Sequence, residues 1–321
     1  MSTKKETKLK GEMVFDSKER YINPYTDFGF KKLFGTELNK DLLISFLNSL
    51  LGDELHIENV TYLNSEHLGE FYHDRNSVFD VYCELSDGKK LIVEMQKTEQ
   101  QYFKDRSVYY AAAPIREQAP KGKWNYQLKS VYTVALLDFV FPDGEYPEDS
   151  FMHEVKLTDV EDNHVFYDKL TFIYLEMPKF NKREDELETM FDKWMFALRN
   201  LAQLLDRPKA LQERIFTHLF EQAEIARFTE KERYQYEESK KEFWDNYSIL
   251  ETARKKGMKE GMKEGMKEGM KEGRKEGLKE GLKEGEAKGI AKTARNLKQM
   301  GLSTDDIIKA TGLTAEEIEK L

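Results

Sequence analysis

The sequence predicts an α/β fold, a mixed β-sheet with helices packed on it, followed by a region that is entirely helical. Two observations carry this prediction. Up to about Phe180, short runs rich in Val, Ile, Phe and Tyr alternate with segments whose apolar residues have helical spacing. From Lys182 onward, the apolar residues recur at helical spacing only.

The elements of the mixed region follow one another in the order helix, hairpin, helix, strand, strand. Gly52 stops the first helix, and Ser86-Asp87-Gly88 forms the turn of the hairpin. The predicted ranges, in chain order, are 41–51 for the first helix, 78–85 and 90–95 for the hairpin strands, 98–118 for the second helix, and 131–141 and 165–175 for the last two strands.

Composition limits the class of protein. A chain of 321 residues predicts about two domains, and a hydrophobic fraction of 39% is low enough that part of it should be extended. The net charge of −9 argues against a polybasic nucleic-acid coat but leaves room for a local basic face. A single cysteine fits a reducing compartment. No stretch has the apolar length of a signal peptide or a bilayer span, so we expect a cytoplasmic protein that does not enter the membrane.

The hairpin contains acidic side chains whose relation depends on its turn. Side-chain alternation puts Asp80 on one face of the first strand and places Glu94 and Gln96 on one face of the second. A two-residue turn at Asp87-Gly88 would send Asp80 and Glu94 to opposite faces. A three-residue loop, with Ser86 included, would pair them directly. The sequence permits both registers.

In the second register, two carboxylates lie side by side. Such like charges destabilise the fold unless a cation shares them, and Mg²⁺ or Mn²⁺ is the kind of ion that oxygen ligands favour. An ion of this kind polarises a phosphodiester and lowers the pKa of an attacking water. The alternative is an ordinary hairpin with one solvated acidic face.

The spacing of these residues resembles a known signature. Asp80, followed after thirteen residues by Glu94-Met95-Gln96, is similar to the D…(D/E)-x-K motif of the PD-(D/E)XK phosphodiesterases. In particular it resembles the recombination-promoting nucleases (Rpn) and related transposases, in which glutamine commonly replaces the lysine. Further segments resemble that family in the same order, namely 23–35, 102–110, 131–139, 174–180 and the glycine-rich C-terminal region.

The resemblance implies a metal-dependent DNA endonuclease that uses an activated water. It implies that Asp80 and Glu94 bind Mg²⁺ or Mn²⁺, with the Met95 carbonyl as a third ligand, and that Gln96 orients the water. Gln96 carries no charge, so it cannot stabilise a developing oxyanion as lysine does. The alternative is therefore a catalytically weak or inactive relative that acts as a DNA-binding or protein-binding module.

Other residues are weaker candidates. Asp27 is either a further catalytic acid or the N-cap of the first motif's helix. Arg106 is a candidate phosphate contact, with an ion pair on its own helix as the alternative. A basic and aromatic cluster contains Lys121, Lys123 and Lys129 around Trp124 and Tyr126. It is a candidate binding site for a nucleic-acid backbone, with a solvated loop as the alternative.

The C-terminal region contains a repeat in which glycine recurs every four residues, nine times between 257 and 289. Each glycine inside a helix costs ~1 kcal/mol relative to alanine, so an isolated helix here should be marginal. We interpret the repeat as a tether, with self-association through glycine as the alternative. A transmembrane pairing motif is excluded because half of its residues are charged. Capping pairs at Ser303 and Thr314 predict a small helical cap, and the acidic last helix favours a protein contact over DNA.

These observations divide the chain into five predicted segments. They are a flexible N-terminal segment at 1–20, a nuclease-like domain at 21–181, a helical region at 182–253, the repeat at 254–290 and the cap at 291–321. The expected partner is DNA.

Overall fold

The protein contains a six-stranded mixed sheet. The computed structural model describes residues 19–52, 55–63, 66–67, 77–98, 102–120, 122–142 and 146–321. The strand order is β1-β4-β5-β6-β8-β7, and β2 and β3 form a separate two-stranded ribbon. The strands are β1 Val60–Tyr62, β2 Glu66–His67, β3 Ser77–Val78, β4 Val81–Leu85, β5 Lys90–Gln96, β6 Val131–Leu137, β7 Met152–Thr158 and β8 Val165–Glu176.

Helices flank the sheet, as predicted. In chain order, the helices of the described residues are α1 Asp27–Phe34, α2 Lys40–Leu51, α3 Phe103–Glu117, α4 Met190–Asn200, α5 Arg214–Ala223, α6 Glu230–Gln299, α7 Thr304–Thr311 and α8 Ala315–Glu319. The mixed α/β class is confirmed. The sequence prediction missed β1, which has only three residues, and β7, an edge strand that is mostly exposed or half-buried. Neither strand has the buried apolar run that marks β6.

Three neighbouring strands run in the same direction. β5 pairs in parallel with β6, and β6 pairs in parallel with β8, while the other pairings in the sheet are antiparallel. The register places Gln96, Leu137 and Glu176 side by side at the ends of these strands. We call this side of the sheet the carboxyl edge. Ligand sites in open sheets with parallel strands lie at such an edge.

Helices cover both faces of the sheet. On one face, Val93 and Val134 belong to the same core cluster as Trp194 of α4, Phe216 of α5 and Tyr236 of α6. The helices predicted as a separate region at 182–253 thus share the core of the sheet. On the other face, α3 packs on β6 and β8 through a second cluster that includes Phe103, Ala111, Ala135, Leu137 and Tyr174.

The chain divides into two compact units, the first ending at Tyr247 and the second being Ser248–Leu321. The glycine repeat lies within α6 and is helical throughout. A Cβ added at any of its nine glycines would meet no atom within 4 Å. Near the C-terminus, Ile307 of α7 and Ile318 of α8 are buried with Ala294. Among the described helices, none is both long and apolar enough to cross a membrane.

An ion pair ties α1 to the beginning of α6. Lys32 Nζ lies 2.6 Å from Glu232 Oε1, and both side chains are half-buried, at 16% and 32% exposure. Glu232 also accepts a hydrogen bond from Thr229 N at 2.9 Å, so it caps its own helix. The hydrogen bond from Lys32, followed by that from the Thr229 backbone, lowers the pKa of Glu232 to about 2.

We expect Glu232→Gln to lower the free energy of unfolding by ~1 kcal/mol at pH 7, because this ion pair is only partly screened by solvent. The folded-state pKa lies below the ordinary 4.5, so the stabilisation is present above about pH 4.5 and is lost as the pH falls towards about 2. Urea unfolding followed by the fluorescence of buried Trp194 measures it. Glu242→Gln, an exposed position on the same helix, is the control. A Glu232 effect that is equal at pH 7 and pH 2.5 would contradict the assignment.

Candidate active site

The hairpin of β4 and β5 adopts the register that brings its two acids together. Val81 pairs with Val93 and Cys83 pairs with Leu91, which places Asp80, one residue before β4, opposite Glu94. The turn is the three-residue loop, because Leu85 N donates to Lys89 O at 2.9 Å. Gly88 has a φ of +84°, a left-handed conformation that favours glycine. Of the two registers that the sequence permitted, the loop therefore selects the one that pairs the carboxylates.

A short hydrogen-bond network holds the two carboxylates. Met95 N donates to Asp80 Oδ2 at 2.7 Å, and Asp80 N donates to Glu94 Oε1 at 3.3 Å. The side-chain amide of Gln96 donates to Glu94 Oε2 at 3.0 Å. Each acid is therefore oriented by the strand that carries the other, so the pair keeps its geometry as long as β4 and β5 stay in register.

Burial makes this pair electrostatically costly. Glu94 is 6% exposed and Gln96 is 9% exposed. Burial raises the pKa of Glu94, and the charge of Asp80 raises it further, although the hydrogen bonds from Asp80 N and Gln96 oppose the shift. Burial also raises the pKa of Asp80, against the hydrogen bond from Met95 N. A cation between the two carboxylates would relieve both effects.

The donor set fits a hard divalent ion. Carboxylate and carbonyl oxygens are the ligands that Mg²⁺ and Mn²⁺ prefer, and the Asp80 and Glu94 carboxylates supply two of them. In the part of the chain that the structure describes, no group of three or more His, Cys, Asp or Glu side chains is arranged to hold a metal. The pair would therefore have to be completed by an oxygen such as the Met95 carbonyl, and by solvent or substrate.

Asp27 is not the N-cap of its helix, so that interpretation is wrong. Thr26 caps α1, because its hydroxyl accepts a hydrogen bond from Gly29 N at 3.0 Å. Asp27 lies in the first turn, where its carboxylate is 2.9 Å from Lys31 Nζ. The charge of Asp27 raises the pKa of Asp80, and the charge of Lys31 lowers it. Both α1 side chains therefore lie within electrostatic reach of the acid pair.

Two basic residues near the pair were missed in the sequence, namely Lys31 and Lys97. The charges of both lower the pKa of Asp80. A signal existed for each: Lys31 follows Asp27 by one helical turn, and Lys97 follows Gln96 directly. Neither signal distinguishes a lysine near the acids from one in solvent. Each lysine is close to Asp80 only because its own element packs beside the hairpin, and the sequence does not show that packing.

Arg106 lies on α3 beside the buried acid. It donates a hydrogen bond to Tyr110 Oη at 2.9 Å, and its guanidinium lies 5.1 Å from the centre of that ring. Its charge lowers the pKa of Glu94, and it lines a small cavity together with Glu94 and Gln96. The structure thus places Arg106 close to Glu94, and its contact with a phosphate stays a prediction.

The predicted basic cluster lies elsewhere. Lys129 precedes β6 and packs next to Gly88 of the hairpin turn, at the end of the sheet opposite the acids. β5 has seven residues, so about 20 Å of strand separates that turn from Glu94 and Gln96. Lys123 belongs to the same connecting segment before β6, and Lys121 lies outside the described residues. Of the described lysines in this cluster, Lys129 is therefore too far from the carboxylates to contact them.

Comparison with known proteins gives one family. A family model described as a PD-(D/E)XK nuclease family transposase matches residues 24–253, a range that contains the whole sheet and all of the site residues above. Neither the curated proteins nor the solved structures include a match to the chain.

Replacing one buried acid should stabilise the metal-free protein. We expect Glu94→Gln to raise the melting temperature in EDTA at pH 8.5, because the substitution removes a buried charge that repels Asp80, a gain of about 1 kcal/mol. Mn²⁺ should raise the melting temperature of the wild type and should leave that of the variant unchanged. Glu84→Gln, on the same hairpin but next to its turn, is the control: this acid is already paired with Lys90, so its loss should not raise the melting temperature in EDTA. A variant that is less stable in EDTA, or equally sensitive to Mn²⁺, would contradict this account of the pair.

Proposed function

The chain belongs to the PD-(D/E)XK nuclease transposase family, and from this premise we propose that it is a metal-dependent DNA endonuclease of the recombination-promoting nuclease (Rpn) type. Its reaction is the hydrolysis of a phosphodiester bond by an activated water. The family match supports a nuclease. The observation that supports the finer proposal is the pair of half-buried Asp80 and buried Glu94, held by reciprocal backbone hydrogen bonds at the carboxyl edge.

The proposed metal is Mg²⁺ or Mn²⁺, held by Asp80, Glu94 and the Met95 carbonyl. When bound, this ion polarises the scissile phosphate and lowers the pKa of the attacking water. Gln96 orients Glu94 through its amide, and its amide oxygen is the acceptor proposed to orient the water. Asp27, paired with Lys31, is proposed as an additional acid that sets the charge beside Asp80.

The proposed substrate contact is Arg106. Its position beside Glu94 suits a phosphate oxygen adjacent to the bond that is cut, since guanidinium groups pair readily with phosphate. Lys129 remains a candidate only for a contact with DNA beyond the catalytic step, because it lies at the other end of β5, and Lys123 remains a candidate from the same connecting segment. Lys121 is grouped with them by sequence alone.

A second function is favoured by one residue. Gln96 stands where a lysine would stabilise developing negative charge, and its amide is neutral. A family member with this substitution can keep the fold and the contact with DNA while cutting weakly or not at all, so DNA binding without cleavage is the alternative outcome.

Cleavage of plasmid DNA tests the proposal directly. We expect Asp80→Asn and Glu94→Gln each to lower the rate at least ~100-fold in Mg²⁺ or Mn²⁺, because each removes a metal ligand, and EDTA to abolish cleavage by the wild type. Gln96→Ala should lower the rate by ~10-fold while the Mn²⁺-dependent rise in melting temperature persists. Glu84→Gln should cut normally.

Two results would contradict the proposed enzyme. The first is equal cutting by the wild type and by the Asp80→Asn and Glu94→Gln variants, which would assign the activity to a contaminant. Alternatively, none of them cuts while all of them retain binding of DNA in a gel-shift assay, and the protein is then the binding module.

Self-association through the repeat stays a prediction. The glycines of α6 have open space where a Cβ would stand, and Met258, Met262 and Met266 are each more than two thirds exposed. Alanine at Gly265, Gly269 and Gly273 should stabilise an isolated helix by ~1 kcal/mol each. If glycines allow two helices to approach, the same triple substitution should weaken a dimer measured by sedimentation equilibrium. Weak dimers have dissociation constants from ~μM to mM, so a wild-type chain that is still monomeric at 100 μM would contradict the prediction.

A further inference from the structure

A second concavity lies next to the proposed active site and has no role in the chemistry above. It is a cleft with a volume of ≈ 690 Å³, and its walls include Tyr25, Asp138, Arg199, Phe243 and Trp244. These residues come from the segment before α1, the end of β6, α4 and α6. The volume is within the range of about 300–1,000 Å³ that small-molecule sites occupy, so the cleft has room for one nucleotide.

The cleft adjoins the acid pair through the carboxyl edge. Asp138 directly follows β6, and its backbone N–H donates to Gln96 O at 2.9 Å. Lys97, the residue after Gln96, has its ammonium 5.8 Å from the centre of the Phe243 ring in the cleft wall. The charge of the same ammonium lowers the pKa of Asp80. One lysine thus lies between the proposed catalytic pair and the cleft.

The chemistry of the walls suits a flat heterocycle. Trp244 is 40% exposed and packs edge-on against Phe243, with ring centres 5.3 Å apart. Partly exposed aromatic rings in a cleft are stacking platforms for nucleobases, and stacking does not depend strongly on which base is bound. The aromatic wall therefore favours a base over an aliphatic ligand.

The polar groups favour a particular base. Asp138 is exposed to the cleft and accepts hydrogen bonds only, and its charge would repel a phosphate. Arg199 only donates hydrogen bonds, one of them to Asn181 Oδ1 at 3.1 Å. Guanine has N–H donors along one side of its ring system and the O6 and N7 acceptors along another. A carboxylate can accept from the adjacent N1 and N2 groups of guanine together, whereas adenine offers it only one amino group, and a guanidinium can donate to guanine O6 and N7.

We propose that this cleft binds a guanine base that has left the stack of a DNA strand, beside the phosphodiester at the acid pair. The inference rests on the proposed nuclease function for its context, and it adds a substrate class to it. Extrusion of a base costs least where the base is already unpaired or mismatched. The preferred substrate would accordingly be DNA with an unpaired guanine next to the bond that is cut.

The test measures binding without cleavage, in EDTA, with the full-length chain. Isothermal titration with dGMP, dAMP, dCMP and dTMP compares the four bases on a common sugar and phosphate. We expect dGMP to bind about tenfold more tightly than dAMP, the ratio that one good paired contact supplies. A single-stranded oligothymidine with one central guanine should bind about tenfold more tightly than the same strand with adenine at that position.

Two variants and one control locate the binding in the cleft. Trp244→Leu should weaken dGMP binding about tenfold through loss of stacking. Asp138→Asn should remove the preference for dGMP over dAMP while binding of both persists. Tyr234→Leu removes an exposed ring, 68% exposed, from the same helix outside the cleft and should change neither measurement. Circular dichroism checks that each variant is folded.

The outcomes separate this inference from the proposed nuclease. The inference is overturned, even if plasmid is cut, when the wild type shows no preference for dGMP over dAMP. It is also overturned when a folded Asp138→Asn protein keeps the same preference as the wild type. The protein could also prefer dGMP over dAMP but bind the guanine-containing and adenine-containing strands equally. This result would assign the cleft to a free nucleotide and would overturn the proposal that the base comes from a DNA strand. A guanine preference in both ligands, removed by Asp138→Asn and accompanied by weaker binding in Trp244→Leu, supports the inference even if cleavage fails.

Discussion

The pairing of β4 with β5 is the constraint on which the site depends. Side chains alternate along a strand, so a slip of one residue would carry Asp80 and Glu94 to opposite faces of the sheet. The three-residue loop prevents the slip, since it closes on the hydrogen bond from Leu85 to Lys89 and needs the left-handed backbone of Gly88. A turn at one end of the hairpin thus sets the chemistry at the other end.

The acid pair is expensive to bury, and the surrounding structure shows how it is accommodated. Each carboxylate accepts a backbone N–H from the opposite strand, and Gln96 adds a side-chain donor. Among the described residues, the charges of Lys31 and Lys97 lower the pKa of Asp80 and the charge of Arg106 lowers that of Glu94, so all three favour the ionised acids. Such an arrangement leaves the oxygen atoms available to a cation while limiting the cost of keeping two charges together.

The parallel strands explain why the acid pair and the cleft are neighbours. β5, β6 and β8 end at one edge, so Gln96 and Asp138 are joined by a backbone hydrogen bond although they lie on different strands. Helices from the C-terminal half then complete the edge, with Arg199 from α4 and Trp244 from α6. The family match extends to residue 253, and the shared core explains why: without α4, α5 and the beginning of α6, one face of the sheet would be exposed.

Local patterns in the sequence were sufficient for much of the fold. Alternation and turn chemistry located the hairpin, apolar spacing located α2, and the order of motifs around Asp80 and Glu94 identified the family that the chain comparison supports. These features depend on residues that are near one another in the chain. The sequence also showed the repeat, whose helical state within α6 it left marginal.

Only the tertiary structure decided the features that depend on residues far apart in the chain. It selected one of two hairpin registers, assigned the cap of α1 to Thr26, and brought Lys31 and Lys97 to the acids while placing Lys129 at the far end of the strand. The physical reason is that charge and hydrogen bonding act through space. A lysine has the same local signal whether its strand or helix carries it towards a carboxylate or away from it, and only the packing of the sheet against its helices distinguishes the two.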